Sequence, residues 1–173
     1  MRRFMRFACM ALGLAALCVP VALPVPIRIV YNPSDSVPRG WYIVEQIRGA
    51  GVLHVGSIVL ARLPVDVALL AAQRGYLPDG VPILKRIGAV TSQSVCVRAQ
   101  LLYIDGIVVA RARTHDGAHR PLHAWPQCRC LAVGELFLLS ITNPVSFDSR
   151  YFGPISASAV IGVARPLWTW RAP

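Results

Sequence analysis

The chain has 173 residues, 55% of them apolar, with eighteen basic against eight acidic side chains and a net charge of +10. That length holds one modest domain and an N-terminal appendage. The charge does not read as a nucleic-acid footprint, because the arginines are scattered and no basic–aromatic stripe is present.

Arg2, Arg3 and Arg6 precede an uncharged run over residues 7–27 (FACMALGLAALCVPVALPVPI), which ends at Arg28. A basic start followed by an apolar stretch is an export signal. Its basic end stays in the cytoplasm and the rest faces outward, into the periplasm of a Gram-negative cell. Pro20, Pro24 and Pro26 leave residues 7–19 as uninterrupted helix, about 20 Å at the usual rise per residue. A spanning helix needs ~20 residues, so the length suits a signal-peptide core, yet no A-x-A cleavage site follows. An uncleaved inner-membrane anchor and a cleaved signal that leaves a periplasmic protein both stay open. The expected division is residues 1–28 as signal or anchor and residues 29–173 as the exported domain. Without Arg2, Arg3 and Arg6 the chain keeps fifteen basic and eight acidic residues, near +7, which proximity to an anionic membrane surface explains.

Beyond the tail the chain reads mostly as strands and turns. Residues 41–47 (WYIVEQI) and 57–63 (SIVLARL) are rich in β-branched and aromatic side chains. Residues 65–74 (VDVALLAAQR), stopped by Gly75, form the best helix candidate, and 82–90 (PILKRIGAV) the next strand. Residues 95–104 and 107–112 flank Asp105-Gly106, a strong tight-turn pair between apolar alternations. Residues 114–129 read as a polar loop, and 135–142 and 159–167 complete the strands. The expected fold is a small, mainly antiparallel β domain with one short helix, preceded by the N-terminal apolar helix.

Seventeen of the eighteen basic residues are arginines, and Lys85 is the one lysine. An ammonium loses its proton when desolvated, whereas a guanidinium with a pKa above ~12 does not. Lys85 is therefore a candidate for a task that needs a free amine. Three short motifs gain meaning beside it. Ser34-Asp35-Ser36-Val37-Pro38-Arg39-Gly40-Trp41-Tyr42 follows the membrane-proximal segment, and its plain reading is a polar loop entering a strand. Ile83-Leu84-Lys85-Arg86-Ile87 could equally be an edge strand whose lysine discourages aggregation. Ser146-Phe147-Asp148-Ser149-Arg150-Tyr151-Phe152-Gly153 could be a turn stapled by an Asp–Arg pair.

Together, and in this order, these motifs resemble the bacterial type I signal peptidases, which are Ser–Lys serine proteases. The resemblance is closest to their TraF branch, the conjugative-transfer peptidases that process pro-pilin. It rests on Ser34/Ser36, on Lys85/Arg86, on Asp148 through Gly153, and on Ser36, Pro38, Gly40 and Tyr42 as an S-x-P-x-G-x-Y signature. It covers nearly all of the chain from about Tyr31 onward. It implies Ser36 as nucleophile and Lys85 as its general base. It further implies Ser34, with the backbone N–H of Ser36, as oxyanion hole, Ser146 as the hydroxyl that orients the lysine, and Asp148 and Arg150 as braces. The chemistry is sufficient, since a serine hydroxyl needs a neighbouring base to take its proton. Ile83 and Ile87 would share the lysine's face in a regular strand and supply apolar burial. No cofactor is implied.

Val37 stands where the ordinary enzymes carry methionine, Thr142-Asn143-Pro144-Val145 replaces their G-D-N-R-D-N run, and the large second β domain has no room. These departures favour the TraF branch. The implied substrate is pro-pilin of a conjugative type IV secretion system, processed by hydrolysis or by cyclisation. A small general signal peptidase acting on exported preproteins is the alternative. A non-catalytic pilus component is a third reading, against which the completeness of Ser34, Ser36, Lys85, Ser146 and Asp148 counts.

Cys9 and Cys18 read as small hydrophobes of the tail. Among Cys96, Cys128 and Cys130, in the exported part, one disulfide is expected, with Cys96 and Cys128 as the pair. His115, His119 and His123 with Cys128 and Cys130 do not make a convincing metal site. Gly117 and Pro121 disfavour a helix that would align the imidazoles, and C-x-C is a poor zinc spacing.

Overall fold

The computed structural model describes Met10 and residues 27–47 and 53–170. The expected apolar helix lies outside the described residues, and so does nearly all of the 1–28 segment. No helix among the described residues is long and apolar enough to cross a membrane.

Among the described residues eleven strands form two antiparallel sheets. The larger runs β1 (Ile27–Asn32), β2 (Arg39–Glu45), β11 (Val160–Trp170), β3 (Ile58–Ala61), β4 (Ile83–Ala89), β9 (Glu135–Leu139) and β10 (Ile155–Ser156) in spatial order. The smaller runs β7 (Ile107–Arg111), β6 (Leu101–Ile104), β5 (Ser94–Arg98) and β8 (Cys128–Cys130). Two α-helices longer than a single residue accompany them among the described residues, α1 (Val65–Gln73) and the four-residue α2 (Ser149–Phe152). The mainly β, antiparallel reading therefore holds, and the helix foreseen over 65–74 is α1. The second helix is too short to leave a periodic signature.

The expected strand over 95–104 is two strands. Ala99 and Gln100 both take positive φ (46° and 66°) and turn β5 back onto β6. Such a turn normally selects Asn or Gly, so Ala-Gln gave no warning of it. Strands β8 and β10 have three and two residues and are held by pairing to β5 and β9. β11 is longer than 159–167, because β2 pairs with it as far as Trp170. At Gly40 the two strands pass so closely that a Cβ would lie 2.2 Å from the Trp168 carbonyl oxygen, which only glycine avoids.

Alternation along β4 sends its side chains into two separate cores. Leu84 joins Val37, Tyr42, Val44 and Leu60 on one face. Ile83 and Ile87 join Val59, Leu136 and Leu138 on the other. A third cluster, built around Leu102, Trp125 and Phe137, packs the small sheet against β4 and β9. Strand β4 thus lies where all the packing layers meet.

Candidate active site

Lys85 lies in the middle of β4, directly opposite Val59 of β3. The same alternation places Ile83 and Ile87 on its face, and the side chain is 6% exposed. Burial pushes its pKa down to about 8; the Asp148 carboxylate opposes that shift and the Arg150 guanidinium adds to it. An amine with that value is neutral in about a tenth of molecules at pH 7, against about one in 2,500 for an unperturbed lysine. Its Nζ donates to the Ser146 hydroxyl.

Ser36 sits in the loop between β1 and β2 and is also buried. Its hydroxyl donates to the Leu84 carbonyl at 3.3 Å, one residue before the lysine. That carbonyl is available for a structural reason. Ile87 exchanges backbone hydrogen bonds with Gly56 and Ser57, ahead of β3. By alternation the backbone groups of Lys85 also face β3, while those of Leu84 and Arg86 face β9. β9 pairs with β4 at Leu139↔Arg86 and stops there, since the chain bends over residues 141–142 and Ile141, the residue that would face Leu84, is not in the strand. The β9 side of Leu84 is left without a strand partner, and the Ser36 hydroxyl occupies part of it. Among the described residues the protein partners of that hydroxyl are Leu84 and Ser34, so it does not bond Lys85 directly.

The serine loop is organised by Asn32, which the sequence reading missed. Its side-chain amide donates to the carbonyls of Ser34, Val37 and Pro38, at 2.9, 3.1 and 3.2 Å. Its carbonyl oxygen accepts from the N–H and hydroxyl of Ser34, at 3.2 and 2.8 Å. The signal was present in Asn32-Pro33-Ser34, since Asn before a turn bonds the backbone two residues on. The Ser34 hydroxyl also lies 2.8 Å from that of Ser36. A bidentate pair between Arg39 and Asp35, at 2.6 and 2.7 Å, closes the outer side of the loop.

Behind the lysine, Asp148 and Arg150 form a buried ion pair with contacts of 2.8 and 2.9 Å. Asp148 also caps α2 by accepting from the Arg150 N–H. The guanidinium spends its remaining donors on the carbonyls of Ser146, Pro144 and Arg111. Burial of a charge pair is tolerated only when the leftover lone pairs and protons find partners, and here they do. The contact to the Ser146 carbonyl ties the pair to the residue that receives the lysine. Ser34, Ser36, Lys85, Ser146, Asp148 and Arg150 thus come together in one region.

Cys96 and Cys128 are joined in a disulfide that pins β8 to β5, and Cys130 is free and exposed. The three histidines do not gather, and no group of three or more potential metal-ligating side chains occurs among the described residues.

Residues 1–170 match the family described as signal peptidase, peptidase S26. The chain belongs to that family. Membership makes it a serine peptidase with a protein substrate. The plasmid transfer protein TraF of Escherichia coli is 29% identical over 149 residues, spanning 80% of this chain and 82% of its own length. The conjugal transfer protein TraF of Agrobacterium fabrum is 32% identical over 148 residues, spanning 80% of this chain and 81% of its own. Among solved structures, a signal peptidase I from Enterococcus faecalis V583 is 20% identical with a TM-score of 0.40, covering 69% of this chain and 98% of that one.

Proposed function

We propose that this peptidase cuts with a Ser36–Lys85 dyad, at a membrane surface, and that its substrate is a pro-pilin processed for conjugative plasmid transfer. One observation carries the dyad. The lone lysine is buried with a lowered pKa, and the carbonyl next to it in β4 is the one that holds the Ser36 hydroxyl.

The reaction follows from that arrangement. A substrate segment adds to the open β9-side edge of β4 at Leu84, so that main-chain hydrogen bonds hold it as an extra strand. The Ser36 hydroxyl leaves the Leu84 carbonyl and attacks the scissile carbonyl carbon, while neutral Lys85 takes its proton. The developing oxyanion receives the Ser36 N–H, which has no protein acceptor among the described residues. It also receives the Ser34 hydroxyl once that proton turns away from Asn32. Lys85 then gives its proton to the leaving amine, and an ester to Ser36 remains. Water resolves the ester to a linear product, or an amine of the substrate resolves it to a cyclic one.

The names of the TraF relatives support conjugation as the setting. Membrane contact is supported by the uncharged run over residues 7–27, whose last residue opens β1. It is further supported by the outer face of β1, β2 and β11. Ile29, Tyr31, Trp41, Trp168 and Trp170 are all exposed there, with Tyr31 5.1 Å from Trp41 and 6.2 Å from Trp170. Tryptophan and tyrosine are enriched where protein meets the lipid headgroups. That reading puts the domain on the outer side of the inner membrane, in the periplasm.

The test is the mass of pilin from cells that carry the wild-type or the Ser36→Ala protein. Processed pilin is expected only with the wild type, and a cyclic product is one water lighter than the linear one. Mature pilin in the Ser36→Ala strain would remove the pro-pilin reading.

A further inference from the structure

The support of Lys85 does not end at α2. Residues 112–127, which join β7 to β8, grip that helix from both ends of the loop. At its start, the Arg111 carbonyl accepts from Arg150 Nη1 at 2.7 Å, and the Arg113 N–H donates to the Tyr151 hydroxyl at 3.0 Å. Near its end, the Trp125 N–H donates to the Arg150 carbonyl at 2.8 Å. The Trp125 ring lies against Gly153, where a Cβ would come within 2.6 Å of the indole nitrogen, and φ is +78°. Trp125 is itself held, by Phe137 at 5.8 Å between ring centroids and by the Arg129 guanidinium 5.5 Å above its ring. Three residues further on, Cys128 is bonded to Cys96. A continuous path of contacts therefore runs from the disulfide through Trp125 to Arg150. From there the guanidinium reaches the Ser146 carbonyl, and the Ser146 hydroxyl takes the lysine.

We infer that Trp125 is a positioning residue for Lys85, and that the Cys96–Cys128 disulfide is the anchor that keeps Trp125 in place. The indole fills the space beside Gly153 and holds α2 down on the lysine. Without it α2 lifts, and water reaches a side chain that is buried in the intact protein. The charged groups acting on Lys85 are Asp148 and Arg150, both at α2. β3 and β9, the strands on either side of β4, carry Ile58-Val59-Leu60-Ala61 and Leu136-Phe137-Leu138-Leu139 in their buried stretches and present no charge there. Everything that sets the ionisation of the lysine, other than this apolar wall, moves with the helix that Trp125 clamps.

The inference deepens the Ser36–Lys85 reading and takes its catalytic meaning from it, but its test does not depend on activity. The chain has a single lysine, so isotope labelling at lysine Cε gives one side-chain resonance in the full chain in detergent micelles. Its pH titration is recorded for the wild type, for Trp125→Ala, for Trp125→Phe, and for Cys96→Ala combined with Cys128→Ala. In Trp125→Ala the midpoint is expected to rise by about one unit, because desolvation is the main cause of the wild-type value and solvent returns. In Trp125→Phe, which keeps a ring on Gly153 and the N–H to Arg150, it is expected to stay within a few tenths of a unit of wild type. The disulfide variant is expected to shift in the same direction as Trp125→Ala, and it supplies the answer if Trp125→Ala does not fold. A wild-type midpoint in a folded Trp125→Ala or disulfide variant overturns the inference. A shifted midpoint in a protein whose Lys85→Arg variant remains active would instead overturn the dyad and leave the clamp standing.

Discussion

Lys85 donates to the hydroxyl of Ser146, a residue 61 positions further along the chain. A hydroxyl suits this place because it can also donate. It accepts from the ammonium and can turn to give its own proton to the free amine. The lysine is therefore held in one place through both of its protonation states. A carboxylate or a backbone carbonyl only accepts, so neither could donate to the lone pair of the free amine.

Ser36→Ala and Lys85→Arg should each lower processing by at least about 100-fold, the contribution expected of a nucleophile or base acting as a unit. Both proteins should melt cooperatively. Arginine keeps a positive charge but cannot take the proton, so substantial cleavage by Lys85→Arg in a peptide assay would refute the assignment of the base.

The rate should depend on pH through the same group. Only neutral Lys85 can accept the Ser36 proton, and its value is about 8. Below that, kcat/KM should rise about tenfold per pH unit, then level off above it. A profile that is flat from pH 5 to 8 would require another base.

Stability responds to the same group in a higher pH window. The folded chain holds Lys85 at about 8, whereas the unfolded chain holds it near ~10.4. Below pH 8 both states bind the proton and the fold bears the cost of burying the charge. Between those values the unfolded state binds more protons, so stability rises with pH. Lys85→Met should therefore be more stable than wild type at pH 7 by about 3 kcal/mol at most, at 1.36 kcal/mol per unit. The gap should close as pH approaches the unfolded value. Urea melts of the two proteins across that window give the difference directly.

The motifs were legible because their information lies in residue type and order. A lone lysine among arginines, Ser-x-Ser ahead of a strand and Asp-Ser-Arg before a glycine can all be read without coordinates. The apolar face of Lys85 followed from strand period alone, and Ile83 and Ile87 lie on it. What could not be read is main chain. Leu84 contributes a carbonyl, which any residue would supply, and its availability depends on where β9 stops. The sequence reads as strand as far as residue 142, but β9 ends at Leu139. Trp125 falls in a stretch that reads as a polar loop, and only its tertiary contacts reveal that it is buried.

Asp148→Asn should cost about 3–5 kcal/mol, the usual result of leaving a buried charge without its partner. Arg150 is 1% exposed and would keep its guanidinium with no counter-charge. The Asn side-chain carbonyl can still accept from the Ser140 N–H. The carboxylate also favours the charged form of Lys85, and the lysine midpoint should therefore fall. A loss of stability below about 1 kcal/mol in urea melts would contradict the buried-pair account.

The aromatic face gives a prediction with an internal control. Trp41, Trp168 and Trp170 lie on the outer face of β1, β2 and β11, whereas Trp125 is buried between the sheets. In proteoliposomes that contain brominated lipids, a variant retaining Trp168 alone should lose fluorescence, because a ring at the headgroup level meets the bromines. A variant retaining Trp125 alone should not. Trp125 also reports whether these variants are folded. If Trp168 escapes the lipid quencher but is quenched by iodide in the aqueous phase, the face lies in water and the domain does not rest on the bilayer. Protection from both quenchers, with cross-linking between chains, would instead assign the face to a second copy.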